Sequence, residues 1–222
     1  MFNIAIDGPA GAGKSSIARA AAANLGFIYV DTGALYRTVA LAALKRGLKS
    51  EDKEEIIALL PAIEVSMGFV DGEQRVFLNG EDVSEDIRLP EVSAAASTVS
   101  AIPEVRQFLF DLQRDMAKTN DVLMDGRDIG TVVLPKANVK IFLTASAEVR
   151  ARRRTDELLA KGQKANYAQI LKEIQQRDYQ DTHREVAPLK MSRDSIKVDT
   201  SELDIDGVIA ELKSIIQKKV AQ

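Results

Sequence analysis

A glycine-rich segment near the start of the chain has the spacing of a phosphate-binding loop. Gly8-Pro9-Ala10-Gly11-Ala12-Gly13-Lys14-Ser15 matches the pattern G-x-x-x-x-G-K-[ST] at every fixed position. Its glycines leave no Cβ in the way, so backbone N–H groups can converge on phosphate oxygens. Lys14 would neutralise the β- and γ-phosphates of a nucleoside triphosphate, and the Ser15 hydroxyl would ligate Mg²⁺. The segment lies between an apolar strand pattern at residues 4–6 and a helical pattern, which is the context that the motif requires.

The loop alone does not decide the reaction, because it serves GTPase switches, ATP-driven motors and small-molecule kinases. GTPases usually read guanine with an N-K-x-D segment, and no Asn in this chain is followed by Lys. A motor would normally carry adjacent acids after an apolar strand, whereas here Asp125 is followed by Gly126, Arg127 and Asp128. The pattern therefore favours a kinase that acts on a small molecule.

Arginines follow several predicted strands, close to where each strand ends. In a doubly wound sheet, ligands bind at the carboxyl ends of the strands. Arginine stays charged, and its planar fork matches phosphate oxygens, so this placement suits phosphoryl transfer between two phosphates. The arginines concerned are Arg37, after strand 27–30; Arg127, after strand 122–124; and Arg150, Arg152, Arg153 and Arg154, after strand 139–143.

Each of these arginines also has an interpretation without a ligand. Arg37 could be a solvated helix residue, and Arg127 could pair with Asp125 or Asp128. The basic segment at residues 150–154 could be a solvated face that pairs with neighbouring acids.

A second group of charges lies on a predicted helix farther along the chain. Arg177, Asp181 and Arg184 have i, i+4 and i+7 spacing, which puts them on one helix face. That spacing fits an intrahelical ladder of ion pairs. It fits equally well a clamp on the phosphate and sugar of a nucleotide.

Short apolar strands alternate with longer helical patterns, which predicts an α/β fold with a mostly parallel sheet covered by helices. The predicted strands of this sheet are 4–6, 27–30, 122–124, 139–143 and 196–198. The predicted helices are 15–25, 34–46, 51–60, 91–100, 104–118, 147–160, 167–183 and 206–219. The turn signals Asp71-Gly72 and Asn79-Gly80 predict a small antiparallel insertion within residues 63–87.

The composition argues against several other classes of protein. There is no Cys and one His, which excludes disulfides, thiolate nucleophiles and Cys-ligated metals and argues against His-rich metal sites. The net charge is −3 and aromatic residues make up 5%, without Trp, which argues against nucleic-acid binding. No uncharged apolar run is long enough to span a membrane, and the N-terminus lacks a secretory pattern. We therefore expect a cytoplasmic monomer that binds neither nucleic acid nor a membrane.

Four segments together resemble those of one known family. The chain resembles, nearly end to end, the bacterial cytidylate kinases, the (d)CMP kinase branch of the P-loop nucleoside monophosphate kinases. The resemblance implies transfer of the γ-phosphoryl of ATP to CMP or dCMP with Mg²⁺, in pyrimidine nucleotide metabolism. The segments are residues 4–15, residues 31–37 (Asp-Thr-Gly-Ala-Leu-Tyr-Arg), residues 125–131 (Asp-Gly-Arg-Asp-Ile-Gly-Thr), and Arg177-Asp178 with Asp181, Arg184 and Ala187-Pro188-Leu189.

The resemblance also implies an architecture. The whole chain, 1–222, would form a single three-layer P-loop kinase domain with a central parallel five-stranded sheet. A monophosphate-binding region would span about residues 37–105, with the small antiparallel β insertion at about 63–87. A helical lid would span about residues 147–165.

By the family pattern, the site residues fall into three groups. The ATP-binding group is the loop Gly8, Pro9, Ala10, Gly11, Ala12, Gly13, Lys14 and Ser15, together with Ser16, which also fits the first turn of a helix. The catalytic cations would be Lys14, Arg127, Arg150, Arg153 and Arg154. The CMP-binding group would be Thr32, Arg37, Arg127, Arg177, Asp181 and Arg184 at the phosphate and sugar, with Ser97, Arg106 and Asp128 at the base.

The base-reading group has a chemical rationale. Cytosine presents an N4 amino donor beside the N3 and O2 acceptors, so Asp128 and Ser97 can accept from the amino group while Arg106 donates to N3 and O2. Uracil presents an acceptor in place of the amino group, and a carboxylate would repel it. Without a ligand, Ser97 would be a packed helix serine and Arg106 a salt-bridge partner on a surface helix.

Two other functions compete with this hypothesis. The chain could be a P-loop kinase for another small acceptor, such as UMP, AMP or shikimate. It could also be a nucleotide-dependent switch that binds a protein or a nucleic acid.

Overall fold

The computed structural model describes residues 1–70, 73–203 and 205–220. They form two compact units. The first consists of Met1–Tyr29 and the described residues from Asn120 onward, and the second is Val30–Thr119. The second unit contains the predicted monophosphate-binding region, about residues 37–105.

The described residues form eight strands and eight α-helices. The strands are β1 (Asn3–Asp7), β2 (Ile28–Asp31), β3 (Val65–Val70), β4 (Glu73–Leu78), β5 (Glu81–Asp82), β6 (Val122–Gly126), β7 (Val139–Thr144) and β8 (Ile196–Asp199). The helices are α1 (Lys14–Leu25), α2 (Thr32–Lys45), α3 (Lys53–Leu59), α4 (Pro90–Val99), α5 (Pro103–Thr119), α6 (Ala147–Ala160), α7 (Tyr167–His183) and α8 (Ile205–Val220). Short 3₁₀ turns lie at Leu60–Ala62 and Asp86–Arg88, and a π-helical turn lies at Ile129–Val133.

The larger sheet has five strands in the order β2-β6-β1-β7-β8. Its central strand, β1, pairs in parallel with β6 and β7, and β7 pairs in parallel with β8. Ile4, Ala5 and Ile6 are fully buried, as expected for a parallel strand covered on both faces. The order confirms the predicted five-stranded central sheet and brings the carboxyl ends of β1, β6 and β7 side by side.

The core of the first unit lies between this sheet and two helices. Ile17 and Ala18 of α1 and Leu212 and Ile216 of α8 are buried in one cluster with sheet residues such as Leu123. Their burial fixes the sheet against α1, the helix that begins with the lysine of the predicted phosphate-binding loop.

The second unit has its own core, to which α2, α3, α4, α5 and a three-stranded sheet contribute. This sheet has the order β3-β4-β5, and both pairings are antiparallel. Leu78 pairs with Glu81 across the turn Asn79-Gly80, whose φ angles are 51° and 82°, as a two-residue hairpin turn of this kind requires. The predicted antiparallel insertion is therefore confirmed, while its other turn signal, Asp71-Gly72, lies outside the described residues.

The predicted element bounds differ from the observed ones by at most two residues, and capping explains the clearest case. The pattern predicts that the second helix starts at residue 34, but α2 starts at Thr32. Asp31 precedes the helix, and its carboxylate accepts from the Ala34 N–H at 3.1 Å, which stabilises the first turn. The third predicted helix, 51–60, is observed as α3 at Lys53–Leu59, and it ends one residue early because the chain tightens into a 3₁₀ turn that contains Pro61.

Among the described residues, no helix is both long and apolar enough to cross a membrane. The same part of the chain contains no group of three or more His, Cys, Asp or Glu side chains that could hold a metal ion by themselves.

Candidate active site

The phosphate-binding loop connects β1 to α1, and its glycines are required by geometry. Gly8 has a φ of 151°, and a Cβ there would lie 1.9 Å from the carbonyl oxygen of Leu143 on β7. Gly13 has a φ of 84° and directly precedes the first residue of α1. The loop therefore leads into a helix N-terminus, whose free N–H groups and dipole favour an anion.

Lys14 is buried within this loop, with 6% of its surface exposed. Its Nζ donates to the carbonyl oxygen of Pro9 at 2.7 Å. Burial, and next the charge of Arg127, hold the pKa of Lys14 well below its ordinary value, while the carboxylate of Asp125 acts in the opposite direction. Negative charge at the loop would offset both effects and favour the protonated amine.

The hydroxyl of Ser15 lies beside a buried carboxylate at the end of β6. Ser15 Oγ donates to Asp125 Oδ2 at 2.9 Å, and Tyr29 Oη donates to Asp125 Oδ1 at 3.1 Å. Hydroxyl and carboxylate oxygens are the hard donors that Mg²⁺ prefers, and Mg²⁺ commonly takes its other ligands from water and substrate phosphates. The residues present at this point therefore fit a magnesium ion bound with a nucleotide.

Arg127 contacts a carboxylate on α7. Its ion pair is therefore not with Asp125 or Asp128, the two partners considered from the sequence. Its Nε donates to Asp181 Oδ2 at 2.8 Å, and both groups are largely buried. Burial by itself would raise the pKa of Asp181, but the charges of Arg127, Arg177 and Arg184 outweigh it and hold that pKa below its ordinary value. Asp181 thus contacts Arg127, and the charges of Arg177 and Arg184 also act on its carboxylate.

Arg184 extends this cluster beyond the end of α7. Its Nη2 lies 3.4 Å from Asp128 Oδ1, and both side chains are at least nine-tenths buried. Its Nε donates to the carbonyl oxygen of Ala187 at 2.8 Å. The contacts of α7 therefore run to the end of β6, which differs from a purely intrahelical ladder.

Asp7 was not predicted as a site residue, although it is the last residue of β1. Its two carboxylate oxygens accept from the N–H groups of Ile129 and Gly130, both at 2.7 Å. Burial raises the pKa of Asp7 to about 6, against the opposing effect of these two N–H groups. An acid at the end of an apolar strand, directly before a glycine-rich loop, is the sequence signal that could have identified it.

Arg150 is brought against the phosphate-binding loop. Its Nη1 donates to the carbonyl oxygen of Ala10 at 2.9 Å, and its Nε donates to that of Ala145. It also forms a two-pronged ion pair with Asp178 of α7, a residue that the sequence analysis left without a role. The solvated face is excluded for Arg150, which is 4% exposed.

The other two predicted lid cations have different surroundings. Arg153 donates to the carbonyl oxygens of Thr200 and Leu203, which follow β8. Arg154 is half exposed and pairs with Glu157 of the same helix at 2.7 Å. Of the three arginines on α6 predicted to be catalytic, Arg150 is the one that contacts the loop.

In the second unit, Arg37 is ion-paired and is not a solvated helix residue. Its Nη2 lies 2.7 Å from Asp31 Oδ2, the carboxylate that also caps α2. Its Nε is buried and has no hydrogen-bond acceptor among the described residues. Thr32, which follows Asp31 in the sequence and begins α2, is also buried. Asp31 thus both caps the start of α2 and holds the Arg37 guanidinium in place.

Arg106 is also buried in the second unit, which differs from the surface position considered for it. Its guanidinium lies 5.3 Å from the centroid of the Tyr36 ring and donates to the carbonyl oxygen of Ser100 at 3.1 Å. Ser97 lies on α4 and is partly exposed, and its carbonyl oxygen accepts from Ser100 Oγ. Arg106 is therefore held in place by the Tyr36 ring and the Ser100 carbonyl oxygen.

Comparison with known proteins gives the family. The cytidylate kinase family model matches residues 4–218. The chain is 51% identical to a cytidylate kinase of Caldicellulosiruptor bescii over 99% of this chain and 97% of that protein. It is also 51% identical to a cytidylate kinase of Carboxydothermus hydrogenoformans over 98% of both chains. The chain belongs to the cytidylate kinase family.

Membership of the cytidylate kinase family makes the chain a nucleotide-binding, ATP-dependent phosphotransferase and confirms the predicted reaction class. The fold agrees with a solved shikimate kinase from Bacteroides thetaiotaomicron, which superimposes with a TM-score of 0.50 at 13% identity, over 97% of this chain and 98% of that one. At that identity the likeness shows the P-loop kinase fold alone.

Proposed function

We propose that the protein transfers the γ-phosphoryl group of ATP to CMP or dCMP by means of the residues that cluster around the phosphate-binding loop. The observation that carries the assignment is the pairing of β1, which leads into the loop of Lys14, with β6, which leads into Arg127 and its ion pair with Asp181. Two phosphorylated nucleotides bring several negative charges together, and this cluster supplies fixed positive charge to offset them.

On the donor side, the loop from Gly8 to Ser15, with Ser16, binds the phosphates of ATP through backbone N–H groups and Lys14. Ser15 would hold Mg²⁺, with Asp125 beside it, and the ion would neutralise charge on the β- and γ-phosphates. Arg150 supports this loop through its contact with Ala10. Arg153 and Arg154 belong to the proposed lid, about residues 147–165, and act as catalytic cations when it closes.

On the acceptor side, the phosphate and sugar of CMP bind the first unit through Arg127, Arg177, Asp181 and Arg184. Asp181 accepts from the sugar hydroxyls, and the guanidinium groups bind the phosphate. Thr32 and Arg37 bind the acceptor phosphate, an assignment supported by the ion pair with Asp31 that holds the Arg37 guanidinium in place.

The cytosine base is read by Asp128, Ser97 and Arg106. Asp128 and the Ser97 hydroxyl accept from the N4 amino group, and Arg106 donates to N3 and O2. The burial of Asp128 and Arg106 supports this assignment, because buried polar groups discriminate strongly against a ligand that leaves them unpaired.

The reaction needs no protein nucleophile. An oxygen of the acceptor phosphate attacks the γ-phosphorus, and its lone pair forms the new P–O bond. The bond from that phosphorus to the β–γ bridging oxygen breaks, and its electron pair leaves on ADP. The protein positions both nucleotides and stabilises charge on the transferring group.

The test is a coupled ADP-release assay over CMP, dCMP, UMP, AMP and shikimate. We expect turnover with CMP or dCMP, and its loss in Lys14→Ala. Asp128→Ala should lower kcat/KM for CMP by about 10- to 100-fold with little change in KM for ATP. Asp115→Ala, at an exposed ion pair on α5, is the control and should change neither constant. Equal turnover of CMP and UMP would refute the cytosine assignment, and activity that survives Lys14→Ala would place the donor elsewhere.

A further inference from the structure

Asp7 joins the strand that starts the phosphate-binding loop to the turn that follows Arg127 and Asp128. It ends β1, directly before Gly8, and it is 3% exposed. Its carboxylate accepts from the N–H groups of Ile129 and Gly130, which lie 122 and 123 residues farther along the chain. These are consecutive N–H groups at the start of the π-helical turn, so one carboxylate holds two successive peptide units.

The turn fits closely against this carboxylate. A Cβ at Gly130 would lie 3.3 Å from Asp7 Oδ2 and 3.2 Å from Cδ of Lys140, a residue of β7. The Lys140 amine itself donates to the carbonyl oxygen of Pro135 and pairs with Asp194. The turn is therefore confined between Asp7 and the Lys140 stem, and its position is set by the end of β1.

The turn is continuous with Asp128. The N–H groups of Val132 and Val133 both donate to the carbonyl oxygen of Asp128, at 2.8 and 3.2 Å. A shift of Ile129 and Gly130 would therefore move the backbone of Asp128, and with it the residue before it, Arg127.

We propose that Asp7 is a positioning residue for the acceptor nucleotide. Through Ile129 and Gly130 it fixes Arg127 and Asp128 at a set distance from the phosphate-binding loop, so that the donor and acceptor phosphates meet in reacting geometry. The proposal rests on the proposed function, in which Arg127 and Asp128 bind CMP.

The conservative test is Asp7→Asn, which keeps the size of the side chain. An amide has one acceptor oxygen, and its NH₂ group would face one of the two N–H donors. We expect kcat/KM for CMP to fall by about 10- to 100-fold, through a higher KM or a lower kcat. A displacement of about 1 Å in the reacting groups produces a loss of this size. KM for ATP should change by less than about twofold, because the loop keeps its own contacts through Gly8 and Ala10.

The matched control is Asp121→Asn. Asp121 Oδ1 also accepts from a backbone N–H of the first strand region, that of Phe2, but at the opposite end of β1 from the loop. This variant makes the same chemical change in the same sheet and should leave kcat and both KM values unaltered.

A double-mutant cycle separates positioning from general damage. If Asp7 acts through Asp128, Asp7→Asn should lower kcat/KM for CMP much less in an Asp128→Ala background than in the parent. In the folded Asp7→Asn protein, the amides of Ile129 and Gly130 should also exchange with solvent faster. Full additivity, equal rises in KM for ATP and CMP, or unchanged kinetics with a lowered melting temperature would each overturn the proposal.

Failure of the proposed function gives a different result. If Asp128→Ala alone leaves CMP kinetics unchanged, then the base assignment fails, whatever Asp7→Asn does. If Asp128→Ala impairs CMP use and Asp7→Asn does not, then the positioning role of Asp7 is refuted and the proposed function stands.

Discussion

Replacing Asp7 with Asn should change how the free energy of unfolding depends on pH. The carboxyl group is buried, and its pKa is raised from 3.8 to about 6 in the folded protein. Between these values the folded protein binds more protons than the unfolded chain does. The contribution of Asp7 to stability is therefore fully present below about pH 3.8 and is lost as the pH rises through about 6.

The magnitude follows from the two pKa values. Their difference corresponds to about 3 kcal/mol, of which about 1.4 kcal/mol falls between about pH 5 and about pH 7.5. The variant carries no titrating group at this position, so it escapes that loss. The hydrogen bond that the amide cannot make lowers its stability by about 1 to 2 kcal/mol at every pH.

Urea unfolding of the parent and of Asp7→Asn, at several pH values in this range, isolates the effect. Acids that lie far from Asp7 are common to both proteins and cancel in the difference. The unfolding free energy of the variant minus that of the parent should rise by about 1.4 kcal/mol from about pH 5 to about pH 7.5. A difference that stays constant or falls with pH would refute the conclusion that burial raises the pKa of Asp7 in the folded protein.

Two further substitutions test the supports of the loop. Gly8→Ala should lower the unfolding free energy by about 3 kcal/mol or more in urea titrations, because a Cβ there would meet a β7 carbonyl oxygen at 1.9 Å. Gly47→Ala, at a φ of 75° with open space around it, should lower it by only about 1 kcal/mol, and equal effects would contradict this account. Asp178→Asn should lower the unfolding free energy by about 3 kcal/mol, since it leaves the buried Arg150 guanidinium without its charge partner. Asp115→Asn, at an exposed pair, should lower it by under about 1 kcal/mol, and a similar loss in both would show that burial is unimportant.

The sequence was sufficient wherever the determining interactions are local. The phosphate-binding loop is defined by eight consecutive residues, and the strand and helix patterns depend on spacing within one turn or pleat. Asn79-Gly80 predicted a hairpin turn because both residues tolerate a positive φ, and both have one. These features needed no knowledge of which segments meet in the fold.

Partner choice could not be predicted, because it depends on contacts between distant segments. Nearby acids were considered for Arg127, but its carboxylate partner lies 54 residues away on α7. Helical spacing groups Arg150, Arg153 and Arg154, yet their contacts lead to the loop, to residues after β8 and to their own helix. Asp7 was overlooked for the same reason, since its two donors lie more than a hundred residues away.

The charge pattern of the site explains how an acidic chain can gather so many cations. Carboxylates hold the guanidinium groups in fixed orientations, so little reorganisation is needed when phosphate arrives. The cations still repel one another: burial is the main reason that the pKa of Lys14 is lowered, and the charge of Arg127 lowers it further. Bound phosphate relieves that repulsion, and so the mutual repulsion of the cations strengthens the binding of the nucleotides instead of opposing it. The pairs are Arg127–Asp181, Arg150–Asp178 and Arg184–Asp128, all within the first unit.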